Sequence, residues 1–466
     1  MVSPVSIKAV SIMAVGAAAP SLRLPAAEVA AAWGTSGGKG QAAVCAADED
    51  ALTLSWLAAV RALATAACSP GDVDGIWWGT SRPPFAEGPS LALLSAALRL
   101  RTEVGGALLS GSAHAGMEAL VAAWDAIAAG SAATALVVAG DAVVPGGGTG
   151  WEPRVAAGAV ALVLAAGSGP ASLVSRTQRT RPVLDRYRGD GEGTTRDLYD
   201  GRLFREEVFL PMLTEVGRAV GEADAWSLPD PDGRMGAALA RKLGADASAS
   251  AAAYAELGDT GAAAPLLGLR VALRSSGRAA VVGYGGGRAT GVALQVDAPV
   301  PGADDAFDDG AVVTYAEVLR ARGQLVPSGE PIPMGVPPGG AGHVRGGVEL
   351  LALQGGHCVE CGAINVPPSV HPACIRCGAN KFEVRDLERT GTVHTFIVNH
   401  SMPAPFVAPL PLAVVDLDDG ARVQLQGMPQ DAAQLRIGDR VELLLRRYAV
   451  ERGVPVYGYK VRRVAS

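Results

Sequence analysis

Residues 133–141 read ATALVVAGD and residues 156–165 read AAGAVALVLA. The pattern returns as RAAVVGYGGG at 278–287 and RATGVALQVD at 288–297. Each pair is a run of β-branched and small apolar residues, a glycine-rich link, then a second such run. Short apolar runs bounded by glycine point to buried strands. Two related halves, each ending in strand, turn and strand, would each contribute one layered unit.

Working outward, apolar runs alternate with alanine-rich helical stretches from residue 6 to about 298. The expected strands are Ser6–Val15, Gly75–Trp78, Ala135–Ala139, Ala159–Leu164, Ala279–Val282 and Gly291–Val296. The expected helices are Asp50–Ala66, Ala115–Ala129, Glu206–Val220 and Gly236–Leu243. LPAAEVAAAW reads as a helix start with Pro25 in its first turn. This alternation predicts α/β layers around a buried sheet. From 297 to 310 the chain turns to Pro, Gly and Asp, which reads as a linker. A short helix at Tyr315–Arg322 follows, and Pro/Gly-rich residues 327–347 read as extended. A cysteine-rich segment comes next. Then come five short strands, Thr392–Asn399, Leu412–Leu417, Arg422–Gln426, Arg440–Leu445 and Val454–Val461, which suggest a small barrel. The expected domains are 1–298, a linker with a short helix at 299–347, a metal ribbon at 348–390 and a barrel at 391–466.

The 466 residues correspond to about three domains at ~150 residues each. With 49% hydrophobic and 18% charged residues the chain is globular, which excludes a disordered one. Its 60 Gly and 31 Pro are about a fifth of the chain, below the ~25–30% of low-complexity sequence. A net charge of −6 gives no global pull toward nucleic acid or anionic membrane. No apolar run reaches the ~18 residues of a membrane span. Lys8 followed by Ala9–Ala19 has the outline of a signal-peptide core. The charge is single and late, and a helix start follows, so a first buried strand is preferred. Cys45, Cys68 and two Cys pairs do not make a disulfide framework. The expected compartment is the cytoplasm.

The strongest motif is CVEC at Cys358–Cys361 with CIRC at Cys374–Cys377. Two CxxC knuckles supply the four thiolates that Zn²⁺ takes in a tetrahedral structural site. Gly362 and Gly378 follow the second Cys of each pair and let the backbone turn. Four protein ligands leave no open position, so such a zinc holds structure and performs no chemistry. His357 and His371 flank the knuckles as less favoured substitutes for a Cys. A redox role is weaker, because there are two pairs and no surrounding βαβ pattern. GYGGGR at Gly283–Arg288 does not fit GxGxxG, and a strand-to-strand turn is the better reading. The basic stretch Arg436–Arg463 is compatible with nucleic acid or a CoA phosphate on an OB-type barrel, or with a solvated strand face.

These residues carry a resemblance. Residues 6–298 resemble the thiolase superfamily, in its HMG-CoA synthase and ketosynthase III branch. The marks, in order, are GAAAPSLRLPAAEVAAAW, DEDALTLSWLAAVRAL, GIWWGTS, SAHAGMEAL, ALVVAGD and VVGYGGGRATGVAL. Residues 311–466 are similar to the zinc-ribbon plus OB-fold module that accompanies thiolases in acyl-CoA metabolism. There the marks are YAEVLRARG, the CxxC pairs, GTVHTF and IGDRVELLLRR. The resemblance implies a five-layered αβαβα thiolase-like fold, a rubredoxin-like zinc ribbon and an OB-fold barrel. It also implies a homodimer through the large domain, a CoA thioester as ligand or substrate, and a thiolase- or aldolase-type partner.

The family's nucleophile is a Cys at the start of a buried helix, where the helix dipole favours the thiolate. The matching position here is Ala113, within Ser112, Ala113, His114, Ala115 and Gly116. The family's His matches Pro229, its Asn matches Asp259, and the synthase Glu matches Ser81. Independently of alignment, His114 is the only histidine before His343, and Cys45 and Cys68 lie well before the motif helix. No acyl-accepting Cys–His pair can be assembled in this domain. An engineered Cys→Ala change would not explain the missing His and Glu, so the loss reads as native. The leading expectation is therefore an accessory thiolase-fold subunit that binds an acyl-CoA and assembles with a catalytic partner. The alternative is a Cys-independent acyl-CoA aldolase or acyltransferase, with His114, Ser112 and Asp259 as players. A third reading, an OB-fold nucleic-acid binder, leaves the large domain without a role.

Overall fold

The computed structural model describes residues 8–36, 38–197, 200–325, 340–402, 408–451 and 453–464. The chain forms two compact units. One comprises Met1–Ser95 with Leu100–Val326, the other Ala96–Arg99 with Pro327–Ser466.

The large unit is built on nine strands: β1 (Val10–Ala18), β2 (Gly75–Gly79), β3 (Gly105–Leu109), β4 (Thr134–Ala142), β5 (Ala157–Ala166), β6 (Ala171–Thr180), β7 (Ala225–Ser227), β8 (Gly277–Gly285) and β9 (Arg288–Val296). They hydrogen-bond in the order β7-β8-β9-β6-β1-β5-β4-β2-β3. The order is a duplication. In the first half β5 runs antiparallel to both β1 and β4, while β2 is parallel to β4 and β3. In the second half β9 runs antiparallel to both β6 and β8, while β7 is parallel to β8. The repeat legible in the sequence is thus the β4–β5 pair and its copy, β8–β9. The halves join where Ser11 and Ile12 of β1 pair with Ser172 and Ala171 of β6.

Side-chain alternation sorts the layers, because successive strand residues face opposite sides. On β8, Ala279 and Val281 face one core, while Ala280 and Val282 face another. The first core also holds Met117, Leu120 and Ile127 of helix Ala115–Ala128, and Leu266, Leu267 and Leu269 of helix Ala264–Ala272. Strand residues from both halves, such as Leu162, Leu164, Val292 and Leu294, meet there. The second core packs helix Leu210–Val220 on the outer face of the second half. Helix Ala51–Thr65 covers β1, β4 and β5 on the opposite outer face. The result is the expected sequence of helix, sheet, helix, sheet and helix layers. Each fully buried Leu or Val contributes roughly 1.5–3 kcal/mol, so the shared middle layer dominates the stability of the unit.

Several expectations need correction. The first strand runs Val10–Ala18, not Ser6–Val15. Ser6 and Ile7 lie outside the described residues, and Lys8–Ala9 precede the strand. Pro25 is the extended N-cap of helix Ala26–Trp33 and closes the short strand Leu22–Pro25; it is not in the helix's first turn. Asp50 likewise caps Ala51–Thr65, in a capping box with Thr53. Within the expected Glu206–Val220 helix, Arg205–Phe209 form a wider π turn. The stretch from 299, read as a linker, packs back into the large unit. Pro301 accepts from the Val15 N–H, Ala311–Val312 pair with Leu22–Arg23, and Tyr315 and Val318 are buried against Leu24 and Val29. Composition misled here because Pro, Gly and Asp also line an edge that hugs a core. Of residues 327–347, those from 340 open a helix, Gly340–Ala352, while 327–339 lie outside the described residues.

In the smaller unit, Gln354–Cys358 pairs with Ile364–Asn365 and with Phe382–Asp386 in a three-stranded sheet. The last five strands are Thr390–Asn399, Leu410–Leu417, Arg422–Gln426, Arg440–Glu451 and Val454–Arg463. Their order is third, second, first, fourth, fifth. A parallel bridge between Gly427 and Val461 brings the two outer strands together, so the barrel is nearly closed. This is the strand order of a Greek-key OB barrel. Among the described residues no helix is long and apolar enough to cross a membrane.

Candidate functional site

A cavity of about 80 Å³ lies in the large unit where the two halves meet. Its lining includes Ser112, Ala113, Pro229 and Asp259, so four positions singled out in the sequence converge on one space. Ala113 stands two residues before helix Ala115–Ala128, whose first turns are buried except for Glu118. The Ser112 hydroxyl accepts from the His114 N–H at 3.2 Å, so it caps the turn that enters this helix. A side chain at position 113 sits near the positive end of the helix dipole. In this chain it is a methyl group.

Gly285 makes this arrangement possible. A Cβ there would stand 2.6 Å from the His114 nitrogen and 3.0 Å from Ala113 backbone atoms. The glycines of GYGGGR thus serve close approach of a strand turn to the helix start, as the turn reading expected.

Two of the named residues do not line the cavity. His114 is fully buried. Its Nε2 is 2.8 Å from the Thr290 hydroxyl and its Nδ1 3.3 Å from Glu118. Ser81 donates its hydroxyl to Asp141 Oδ2 at 2.6 Å. Asp141 also accepts from the Ala262 N–H at 3.0 Å.

The cavity also gathers Asp185, Arg186, Asp230, Phe204, Phe209 and Tyr284, which the sequence reading did not single out. Arg186 pairs with Asp259 Oδ2 at 2.6 Å and stacks 4.2 Å from the Trp151 ring. Burial pushes the Asp185 carboxyl up, against hydrogen bonds from the Tyr284 hydroxyl and the Gly286 and Arg186 N–H groups. Burial also pushes Asp230 up to about 6, reinforced by Asp232 and Asp259 and opposed by the Gly236 N–H. Phe204, Phe209 and Tyr284 form a mutual ring cluster with centroids 5.8–6.1 Å apart. Five residues on at 100° each would place Phe209 about 140° around an α-helix from Phe204. The wide π turn at 205–209 lets both rings face the same space. The one available sequence signal was PDPDGR, an acidic loop where the family pattern has a His.

A larger groove of about 690 Å³ shares the 229–234 loop with this cavity through Asp232, Gly233 and Arg234. Trp33, half exposed, lines it with Lys39 and Arg154. The Arg154 guanidinium is held by the Lys39 and Tyr254 carbonyls.

In the smaller unit, the sulfurs of Cys358, Cys361, Cys374 and Cys377 all lie within 4.8 Å of one another. Cys358 and Cys377 are 3.6 Å apart, as are Cys361 and Cys374. Thiolates ~2.3 Å from a shared tetrahedral ion stand about 3.8 Å apart, so the cluster can hold one metal ion. The knuckles repeat each other bond for bond. Cys358 N–H donates to Ala363 O and Gly362 N–H to Cys358 O; Cys374 N–H donates to Ala379 O and Gly378 N–H to Cys374 O. Gly362 and Gly378 both have positive φ, 71° and 76°. Buried Asn365 braces the second knuckle, accepting from the Ile375 N–H and donating toward Cys374 Sγ. His371 is engaged elsewhere, its Nε2 3.3 Å from the Val366 carbonyl.

Asp230 yields a prediction. Its folded value of about 6 exceeds the ordinary 3.8, so the folded chain holds more protons between about pH 4 and 6. Stability from this group therefore falls as pH rises through that window. Asp230→Asn should stabilise the protein at pH 7.5 by roughly 1–2 kcal/mol, allowing for partial solvent screening, and by nothing below pH 4. Urea melts at both pH values check it; an equal difference at the two would contradict it.

Comparison with known proteins follows the same division. A family described as the ChsH2 C-terminal OB-fold domain matches residues 384–446. The hydroxymethylglutaryl-CoA synthase of Methanosphaera stadtmanae is 28% identical over 248 residues, covering 50% of this chain and 71% of that protein. A DUF35 domain-containing scaffold protein of Methanothermobacter thermautotrophicus is 35% identical over 115 residues, covering 24% of this chain and 85% of that protein. Among solved structures, MvaS in complex with 3-hydroxy-3-methylglutaryl coenzyme A is similar at TM-score 0.59 and 20% identity. That match covers 71% of this chain and 95% of that one. The 3-oxoacyl-(acyl carrier protein) synthase III, FabH, of Pseudomonas aeruginosa is similar at TM-score 0.55 and 23% identity, covering 62% and 98%. At these identities the structural likeness shows the fold alone. Through its C-terminal module the chain belongs to the DUF35 family, and it joins that module to a domain of thiolase-like fold that is similar to HMG-CoA synthases.

Proposed function

We propose that this chain is an accessory thiolase-fold subunit. It binds an acyl-CoA in its large domain and assembles with a catalytic thiolase, acyltransferase or aldolase through its zinc-ribbon and OB module. The observation that carries the reading is a cavity lined by both Ala113, at the helix start, and Pro229. A methyl group and a pyrrolidine ring can neither attack a thioester nor move a proton. The family positions are thus filled by Ser81, Ala113, Pro229 and Asp259, with the thiolase-like domain at 1–298, the ribbon at 348–390 and the OB fold at 391–466.

The groove supports CoA as the ligand. Lys39, Arg154 and Arg234 are cations suited to phosphate, and Trp33 offers an exposed aromatic face. The 229–234 loop would then separate the carrier from the acyl end. The match to a scaffold-type relative supports the role of the smaller unit. Zinc is the metal best suited to four thiolates at these spacings, in a structural role with no open position. A homodimer through the large domain is supported by β3, an edge strand that among the described residues pairs on one side only, with β2. The proposed setting is the cytoplasm, with neither membrane nor nucleic acid as a partner.

A second reading has its own support. Asp230, with a carboxyl near 6 facing the cavity, is the kind of group that could take a proton in Cys-independent aldol cleavage. His114 is placed away from the cavity and supports this reading less than Asp259 and Ser112 do.

The purified chain should bind CoA, and Arg154→Ala should weaken that binding about tenfold. Incubation with acetyl-CoA should leave no acyl adduct by intact-mass spectrometry, and no acyl-CoA should turn over until a catalytic partner is added. Sustained turnover by the isolated chain would sink the accessory reading in favour of the second. Metal analysis should find one zinc per chain, and Cys374→Ser should lose it and lower the melting temperature of the smaller unit alone. Sedimentation should give twice the 47.1 kDa chain mass; a monomer at micromolar concentration would refute the dimer.

A further inference from the structure

The 80 Å³ cavity has an unusual charge pattern. Its walls are apolar, made by Phe204, Phe209, Pro229, Pro265 and the Tyr284 ring. Three carboxyl groups face it, those of Asp185, Asp230 and Asp259. One cation lines it, Arg186, and that guanidinium pairs with Asp259 at 2.6 Å. Asp185 is 5% exposed and is satisfied by the Tyr284 hydroxyl and two N–H groups. Asp230 is different. It accepts from the Gly236 N–H at 3.1 Å, and among the described residues no ion pair holds it. It lines both this cavity and a smaller adjoining one beside Tyr254.

A carboxylate kept half-buried against apolar walls without a cation costs stability. Such a cost persists where a ligand repays it. The missing partner is a positive charge, and the space left for it is short. An acyl group ending in a carboxylate would instead meet like charge at close range.

We propose that the cavity selects a short acyl chain ending in a protonated amine, paired with Asp230, and rejects acyl chains ending in a carboxylate. The proposal rests on the reading that this cavity holds the acyl end of a CoA thioester. It adds the chemical class of that acyl group. The aromatic cluster suits the methylene stem, and the low local polarity strengthens the amine–carboxylate pair. No bond is made or broken in this step; it is recognition only.

Calorimetric titration of the full chain with four probes tests it: free CoA, 3-hydroxypropionyl-CoA, β-alanyl-CoA and malonyl-CoA. The three thioesters have acyl chains of equal carbon count and differ in terminal charge. β-Alanyl-CoA should bind about tenfold more tightly than malonyl-CoA, with the hydroxy analogue between. Asp230→Asn should narrow the gap between the charged thioesters to under about threefold, and shift free CoA less than β-alanyl-CoA. Asp230→Glu, which keeps the charge, should preserve the preference. Equal affinity for the three thioesters, or malonyl-CoA binding most tightly, overturns the proposal while leaving acyl-CoA binding intact. Failure of free CoA and every thioester to bind overturns the underlying acyl-CoA reading.

Discussion

The carboxylate of Asp141 has no exposed surface, yet it accepts from the Ser81 hydroxyl, the Ala142 N–H and the Ala262 N–H. Burial pushes this carboxyl up, and the hydrogen bonds pull it back toward the charged form. Ser81 follows a strand of the first half, and Ala262 belongs to the turn that opens a central helix of the second. One side chain therefore ties the two copies of the repeat together. Gly261 adopts φ of 58°, and a Cβ there would stand 2.5 Å from Asp141 Oδ2. Only a residue without a side chain can bring that turn so close, and the turn is what presents Asp259 to the cavity.

Much of the fold was legible because its signals are local. The β4–β5 and β8–β9 strands are continuous apolar runs with glycine ends, and the CxxC pairs carry their spacing in the chain itself. The last five strands were all anticipated: Arg422–Gln426 matches at both ends, and the other four are short at one end by two or six residues. What escaped depended on distant partners. The π turn at 205–209 has no sequence period of its own, and its reason is the ring cluster completed by Tyr284, seventy-five residues on. The 299–325 stretch has the composition of a linker and the contacts of an edge. Pro25 was legible as a helix-start residue, but not as the cap that also ends a strand.

The site was half legible. Resemblance led to Ala113, Pro229 and Asp259, and these positions share one cavity. Asp185 and Arg186 carried no sequence signal, and Asp230 only that of the acidic PDPDGR loop, because isolated charged residues carry no periodicity. Their meaning arises only when the second half folds them over the first helix start. The large unit thus has a thiolase-like fold, and the cavity where its halves meet gathers Asp185, Arg186, Asp230 and Asp259. The smaller unit has the opposite character. Its four sulfurs are held by repeated backbone bonds and a buried asparagine, in a cluster that can hold one metal ion.

The π turn has a consequence for how such a cavity changes over time. A π turn is in effect one surplus residue carried inside an α-helix. Removing one of residues 205–208 would heal the helix and leave Phe204 four positions before Phe209, about 40° around an α-helix, so both rings would keep the same face. The ring pair that walls the cavity therefore depends on how the chain winds at 205–209, and a change of chain length there is tolerated where it leaves the two rings on one face.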